Sequence, residues 1–197
     1  MRVFKNFLFL ITLLFLIGFF CVLITKKILD TGNNKAFNKI DLEKIELVNY
    51  KGKKIKAIDL FKKPAIFYFG FTSCPDICPL TLTKIYLSLE ELERSELIDV
   101  YLISLDPERD TPDILKNYLA TFNGKVVGIT GSYENLKKLT KLMKIKFNKR
   151  ITENTYTIDH TSASLLVYNN KIFDRILFED NLENSKKKIS EFLNFIY

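Results

Sequence analysis

The middle of the chain contains two uninterrupted apolar runs, which are Ala65–Phe71 (AIFYFGF) and Val100–Leu105 (VYLISL). Runs of this length without polar alternation are typical of strands that are buried on both faces of a sheet. Helix signals follow each run, because Pro79 suits the first turn of one helix and Thr111 with Pro112 suits the start of another. The pattern predicts an α/β protein in which helices pack against a sheet.

The remaining segments complete a mixed sheet. The predicted strands are an N-terminal hairpin (Ile45–Tyr50 and Lys54–Ile58), a short strand (Val126–Ile129) and a second hairpin (Ser164–Tyr168 and Lys171–Phe178). Further helices are predicted from Ser132 to about Met143 and from about Leu182 to Phe195. This order resembles a thioredoxin-like fold, with a mixed sheet flanked by helices and an added N-terminal hairpin.

An uncharged stretch near the N-terminus, Phe7–Thr25, is long enough to form a membrane-spanning helix, which needs about 20 apolar residues. A secretory signal peptide has a shorter apolar core and a small-residue cleavage site, which the bulky residues before Cys21 do not provide. We therefore predict a transmembrane anchor in residues 1–27, a linker in residues 28–42 and a folded domain in residues 43–197.

The orientation of this anchor is less strongly marked, because Arg2 and Lys5 precede the span and Lys26 and Lys27 follow it. A short basic tail ahead of a span usually stays inside while the large domain crosses. No Arg- and Ser-rich import leader precedes the span. We predict a single-pass protein of the bacterial inner (plasma) membrane, with the N-terminus cytoplasmic and the soluble domain periplasmic.

The formal net charge of +7 does not indicate a nucleic-acid-binding protein. Four of the basic residues flank the predicted span, and the remaining charges nearly balance. The most basic segment, Leu136–Arg150, contains Phe147 as its only aromatic residue, which is too few for a base-stacking surface. We interpret this segment as a solvated helix face, with a partner or membrane surface as the alternative.

The reactive residues concentrate in Cys74-Pro75-Asp76-Ile77-Cys78-Pro79, between a buried strand and a helix. The third cysteine, Cys21, lies in the predicted span. A spacing of four places two side chains on one side of a helical turn. The N–H groups and positive potential of a helix start favour thiolate, which is both the metal ligand and the nucleophile. A buried structural pair is the alternative, and the interleaved prolines and aspartate argue against it.

His160 is the only histidine of the chain and lies just before a predicted strand. In a thioredoxin-like order, the loop that carries it packs against the start of the cysteine helix, and Asp159 is a candidate partner for its ring. Two thiolates and an imidazole suit Cu(I), and the imidazole also suits Cu(II). Structural zinc normally has four protein ligands, so zinc needs a carboxylate such as Asp159 and is disfavoured. Cys74, Cys78 and His160 are the candidate copper ligands.

Three segments resemble the signatures of the SCO/SenC family, which are Phe69–Pro79 (FGFTSCPDICP), Leu105–Pro112 (LDPERDTP) and Asp159–Thr161 (DHT). Gly128–Ser132 (GITGS) resembles the strand-to-helix turn of the same family, and the similarity runs from Ile45 to the C-terminus. Members of this family are thioredoxin-like copper chaperones for the assembly of cytochrome c oxidase in the respiratory chain. The N-terminal anchor also matches the usual layout of the family.

The resemblance implies that Cys74, Cys78 and His160 bind one copper ion. It also implies that copper comes from an upstream donor and is delivered to the dinuclear copper site of cytochrome c oxidase subunit II. Asp106, Arg109 and Asp110 belong to the second signature, and two roles remain open for them. They can hold a loop together through local hydrogen bonds and a helix cap, or they can contact copper or a partner.

Three functions compete for these residues. A metallochaperone, which is not an enzyme, uses His160 as a third ligand, whereas a dithiol reductase has no use for it. The alternative is a thiol-disulfide oxidoreductase that reduces the cysteines of the oxidase copper site, although the familiar redox spacing is C-x-x-C. A peroxidase needs one activated cysteine, and the doubled cysteine disfavours it. We predict the metallochaperone, and both thiol-based activities can coexist in one protein.

Overall fold

The computed structural model describes residues 16–21, 36–153, 155–178 and 182–197. Residues Ala36–Tyr197 form one folded unit, which includes the last part of the stretch predicted as a linker. Residues 16–21 of the predicted span are helical, and the rest of that span lies outside the described residues. Within the described ranges, no helix is both long enough and apolar enough to cross a membrane. The anchor, its orientation and the domain boundaries stay predictions.

The folded unit alternates strands and helices as predicted. Its strands are β1 (Glu46–Asn49), β2 (Lys54–Lys56), β3 (Ala65–Gly70), β4 (Asp99–Ser104), β5 (Val126–Thr130), β6 (Phe147–Ile151), β7 (Tyr156–His160), β8 (Ser164–Tyr168) and β9 (Lys171–Ile176). Its helices are α1 (Lys39–Glu43), α2 (Ile77–Glu90), α3 (Pro112–Tyr118), α4 (Tyr133–Leu142) and α5 (Leu182–Ile196). Local sequence patterns did not indicate α1, β6 or β7.

The main sheet has the strand order β2-β1-β5-β4-β3-β8-β9. Strands β3, β4 and β5 run parallel, whereas β1, β2, β8 and β9 join them through antiparallel pairs. All six residues of β3 are buried, as its apolar run predicts for a central strand. The predicted mixed sheet with an N-terminal hairpin at one edge is therefore confirmed.

Helices α2 and α3 cover the same face of this sheet. Tyr68, Leu102 and Gly128 lie in one row across the three parallel strands. Gly128 faces α3, and Gly70, which points to the same side as Tyr68, faces α2. Helix α5 packs against α2. On the opposite face, the ring of Phe61 packs edge-on against Phe67 at a centroid distance of 5.1 Å.

Strands β6 and β7 form a separate antiparallel ribbon between α4 and β8, and this ribbon carries His160. His160 was predicted to lie in a loop, but it is the last residue of β7 and pairs with Phe147 of β6. The basic segment Leu136–Arg150 is likewise not one helix face. Helix α4 ends at Leu142, and the segment continues through a turn into β6.

Candidate copper site

The two cysteines lie on different kinds of backbone. Strand β3 ends at Gly70, a turn follows, and α2 begins at Ile77. Cys78 is in the first turn of α2 and is fully buried, whereas Cys74 precedes the helix and is half-buried. The prediction that both cysteines share one helical turn is therefore wrong. The extended turn lets Cys74 reach the surface while Cys78 points into the protein, and both thiols are free.

The sulfur of Cys78 occupies space that only a glycine leaves open. A Cβ atom added to Gly70 would lie 3.1 Å from Cys78 Sγ and 3.1 Å from Cε1 of Tyr68. Gly70 is the last residue of β3, directly beneath the start of α2. The missing side chain at the end of the strand therefore allows the helix to bring Cys78 close to the sheet.

Burial raises the pKa of the Cys78 thiol to about 12, and interaction with the Cys74 thiol adds to the effect. The Tyr68 hydroxyl and the backbone of Phe71 act in the opposite direction but do not outweigh burial. The expectation that the helix start favours thiolate at this position is therefore wrong for Cys78 in the metal-free protein. Removal of the sulfur from water is the largest influence on this thiol.

The imidazole of His160 faces Cys78. Its Nε2 atom lies 3.8 Å from Cys78 Sγ, and its Nδ1 atom lies 3.0 Å from the carbonyl oxygen of Thr161. A carbonyl can only accept, so Nδ1 carries the proton and donates to Thr161, which leaves the lone pair of Nε2 directed at the sulfur. The rings of Phe71 and Tyr68 pack edge-on against the imidazole at 6.1 and 6.5 Å.

Asp159, the candidate partner of the histidine ring, does not hold it. Adjacent residues of a strand point to opposite faces, and the Asp159 carboxylate pairs with Arg150 at 2.9 Å on the far side of the ribbon. The carbonyl of Thr161 orients the imidazole instead.

Cys74 and His160 line an open cleft of ≈340 Å³ that also includes Phe71, Asp76 and Ile158. The structure thus brings Cys78 and His160 together and places Cys74 in the wall of the same cleft. Within the described part of the chain, no three His, Cys, Asp or Glu side chains form a ready-made metal site.

The loop between β4 and α3 holds both segments that carry the candidate ligands. Asp110 accepts hydrogen bonds from Thr72, two residues before Cys74, and Asp106 accepts one from Tyr156, at the start of the strand that ends in His160. Thr72 and Tyr156 were not among the residues predicted to belong to the site. Their partners are 38 and 50 positions away in the sequence, and no local pattern marks such pairs.

The comparison with known proteins agrees with these features. The SCO1/SenC family model matches residues 34–194. An SCO2-like protein of Rickettsia typhi is 34% identical over 193 residues, which cover 93% of this chain and 94% of that protein. An SCO2-like protein of Rickettsia felis is 36% identical over 153 residues, which cover 75% of this chain and 73% of that protein.

Solved structures show the same thioredoxin-like fold. Copper-bound ScoI of Bradyrhizobium japonicum has a TM-score of 0.68 and 28% identity, and the match covers 75% of this chain and 96% of that one. Copper-bound yeast Sco1 has a TM-score of 0.69 and 29% identity, and the match covers 76% and 86%. Because the family model matches almost the whole folded unit, the chain belongs to the SCO1/SenC family.

Proposed function

We propose that this protein is a copper metallochaperone that carries one copper ion on Cys74, Cys78 and His160. The observation that carries the proposal is the approach of His160 Nε2 to within 3.8 Å of Cys78 Sγ, with Nδ1 already occupied by the Thr161 carbonyl. An imidazole lone pair and a sulfur that lie 3.8 Å apart are close enough to bind the same metal ion. Cys74, in the wall of the same cleft, supplies the third donor.

The donor set favours copper over zinc. Two thiolates and one imidazole suit Cu(I), and the imidazole extends the range to Cu(II). Zinc needs a fourth protein ligand for a structural site, and the Asp159 carboxylate, the candidate for that position, is paired with Arg150. The raised pKa of Cys78 means that copper must displace its proton at neutral pH, so binding is coupled to proton release.

We further propose that the copper goes to the dinuclear site of cytochrome c oxidase subunit II, after an upstream donor has supplied it. Membership of the SCO1/SenC family supports this assignment. The protein would act as a single-pass protein of the bacterial inner membrane, with its folded unit in the periplasm. The cleft is open and Cys74 is half-buried, which suits transfer by direct contact between two proteins.

Copper binding by the full chain, purified in detergent, tests the ligand assignment. We expect one copper per chain for the wild type and for C21S, which is the matched control because it removes a cysteine outside the site. C74A and C78A should lose tightly held copper, because one thiolate with one imidazole is a poor Cu(I) site. A variant that lacks both Cys74 and Cys78 but retains one tightly held copper would refute the assignment.

His160→Ala distinguishes the chaperone from the reductase alternative. This variant keeps both thiols in place, so dithiol–disulfide exchange should survive while copper binding weakens, most of all for Cu(II). In a cell that depends on the protein, the H160A strain should lose oxidase activity. Normal respiration of that strain, together with failure of a C74A strain, would favour the reductase.

A further inference from the structure

The loop between β4 and α3 carries two buried carboxylates, which accept hydrogen bonds from two separate parts of the protein. Asp106 is 2% exposed and Asp110 is fully buried. They are four positions apart, and each has partners outside the loop. Buried carboxylates are costly unless they are well hydrogen-bonded, so the partners of each are informative.

Asp110 holds the turn that carries Cys74. Its Oδ1 accepts from the hydroxyl of Thr72 at 2.6 Å, and its Oδ2 accepts from the backbone N–H of Thr72 at 3.1 Å and from the hydroxyl of Ser104 at 2.5 Å. Thr72 is two residues before Cys74. Two of these three donors therefore tie the cysteine turn to the loop, and the third ties the loop to the end of β4.

Asp106 holds the ribbon that carries His160. Its Oδ1 accepts from the hydroxyl of Tyr156 at 2.8 Å, and its Oδ2 forms an ion pair with Arg109. Arg109 in turn donates from Nη1 to the carbonyl of Tyr156 at 3.2 Å and stacks on its ring at 3.9 Å. Tyr156 begins β7, the strand that ends at His160, and both residues point to the same face of the ribbon.

The ribbon needs this attachment because it is not part of the main sheet. Strands β6 and β7 pair only with each other within the described part of the chain. At its base, Thr161 N–H donates to the carbonyl of Lys146 at 2.9 Å, which closes the ribbon on itself and does not join it to the cysteine turn. The position of Nε2 relative to Cys78 therefore depends on how the ribbon is held from outside.

We propose that Asp106 and Asp110 are positioning residues that align the two halves of the copper site from a single loop. Asp110 acts through Thr72 on Cys74, and Asp106 acts through Arg109 and Tyr156 on His160. In this proposal neither carboxylate is a metal ligand. The proposal rests on the copper-binding function proposed above, and it assigns a structural reason to the second signature segment.

Paired substitutions separate alignment from general stability. T72V removes the hydroxyl that donates to Asp110 while keeping the backbone donor, and T72S restores that hydroxyl. Y156F removes the hydroxyl that donates to Asp106 and, at 3.3 Å, to Glu108 of the same loop, while keeping the ring beneath Arg109. Y101F is the matched control, because Tyr101 donates to Asp99 at 3.2 Å in another part of the sheet.

The first measurement is amide hydrogen exchange of the full chain without metal. We expect T72V to increase exchange in the peptide that contains Cys74, and Y156F to increase it in β7, because each loses an anchor of that segment. T72S and Y101F should leave both regions as in the wild type. Unchanged exchange in both regions for T72V and Y156F would overturn the proposal, whatever copper does.

The second measurement is copper affinity of the same variants. Loss of a group that orients a metal ligand typically weakens binding by about 10–100-fold, so T72V should bind Cu(I) about tenfold more weakly and T72S should recover the wild-type value. Y156F should weaken Cu(II) binding more than Cu(I), since it acts on the imidazole. Equal affinities for T72V and T72S would overturn the alignment role. If instead C74A and H160A bind copper normally, the proposed copper-binding function is wrong. The hydrogen-exchange result then still shows whether the hydrogen bonds to Asp106 and Asp110 hold the two segments.

Discussion

Replacement of Gly70 by alanine tests whether the end of β3 makes room for the Cys78 sulfur. The new methyl group would lie 3.1 Å from Cys78 Sγ, 3.1 Å from Tyr68 Cε1 and 3.5 Å from Leu102 Cδ1. Favourable contacts between such atoms are about 3.5–4.0 Å long. Two of the three contacts are therefore too short by about half an ångström.

The energetic cost follows from the absence of free space nearby. Cys78, Tyr68 and Leu102 are all fully buried, so none of them can turn into solvent. An extra methyl group in a well-packed core costs about 1–3 kcal/mol, and we expect the upper half of that range here. For a domain of this size, each kcal/mol lowers Tm by about 2–4 °C. The displaced sulfur should also weaken copper binding.

G128A is the control for this experiment. Its methyl group would meet Cβ of Leu115 at 3.0 Å and Cδ1 of Leu119 at 3.0 Å, on the same face of the sheet but against α3. Thermal unfolding should show that both variants are destabilised, whereas copper titration should show weaker binding for G70A alone. The reasoning is refuted if G70A unfolds like the wild type, or if it is destabilised and still binds copper as tightly as G128A does.

Three further predictions concern chemistry, packing and topology. Burial raises the pKa of Cys78 to about 12, so the alkylation rate of Cys78 in the C74S variant should rise about tenfold per pH unit up to about pH 9. A plateau of this rate near neutral pH would contradict the raised pKa. Phe67 is fully buried between Phe61 and Tyr101, so F67A should lower the free energy of unfolding by about 3–5 kcal/mol in chemical denaturation. The control F195A changes a side chain that is 75% exposed and should alter that free energy by less than about 0.5 kcal/mol. A reporter enzyme that is active only outside the cytoplasm should work when fused after Tyr197, and activity of a strictly cytoplasmic reporter at the same junction would reverse the proposed orientation.

The strands and helices of the folded unit were predictable because local signals agree with burial. The apolar run at β3 matches a strand whose six residues are all buried. Thr111 caps α3 by accepting from Ile114 N–H at 3.3 Å, with Pro112 at the first helical position as predicted. Ser132 caps α4 in the same way. Such features depend on neighbours within a few residues, which the sequence shows directly.

The ribbon β6–β7 was not predictable in the same way. Four of the five residues of β6 are exposed, so it lacks the alternation that marks a half-buried strand. Its lysines and arginine suggested the continuation of a helix face instead. Strand β6 is held by its pairing with β7, and β7 is attached to the rest of the fold through the bonds of Tyr156 with Asp106 and Arg109.

The sequence by itself indicated which side chains are the candidate metal ligands. A chain with three cysteines, one of them in an apolar N-terminal stretch, and with a single histidine leaves little choice of soft donors. The order of strands and helices also follows from patterns whose range is a few residues. Both depend on residue type and local spacing.

Only the tertiary structure decided the state and alignment of those donors. The helix start predicted a thiolate at Cys78, but burial against the sheet keeps the thiol protonated, because desolvation depends on what surrounds the sulfur in three dimensions. Asp159, next to His160 in the sequence, was a candidate partner for its ring. Adjacent residues of a strand point in opposite directions, so the Asp159 carboxylate pairs with Arg150 and the Thr161 carbonyl accepts from the imidazole instead. Asp110 bonds to Thr72, 38 positions away in the sequence, and Asp106 bonds to Tyr156, 50 positions away. The fold brings these segments together because β3 and β4 lie side by side and the ribbon returns to the same end of the sheet.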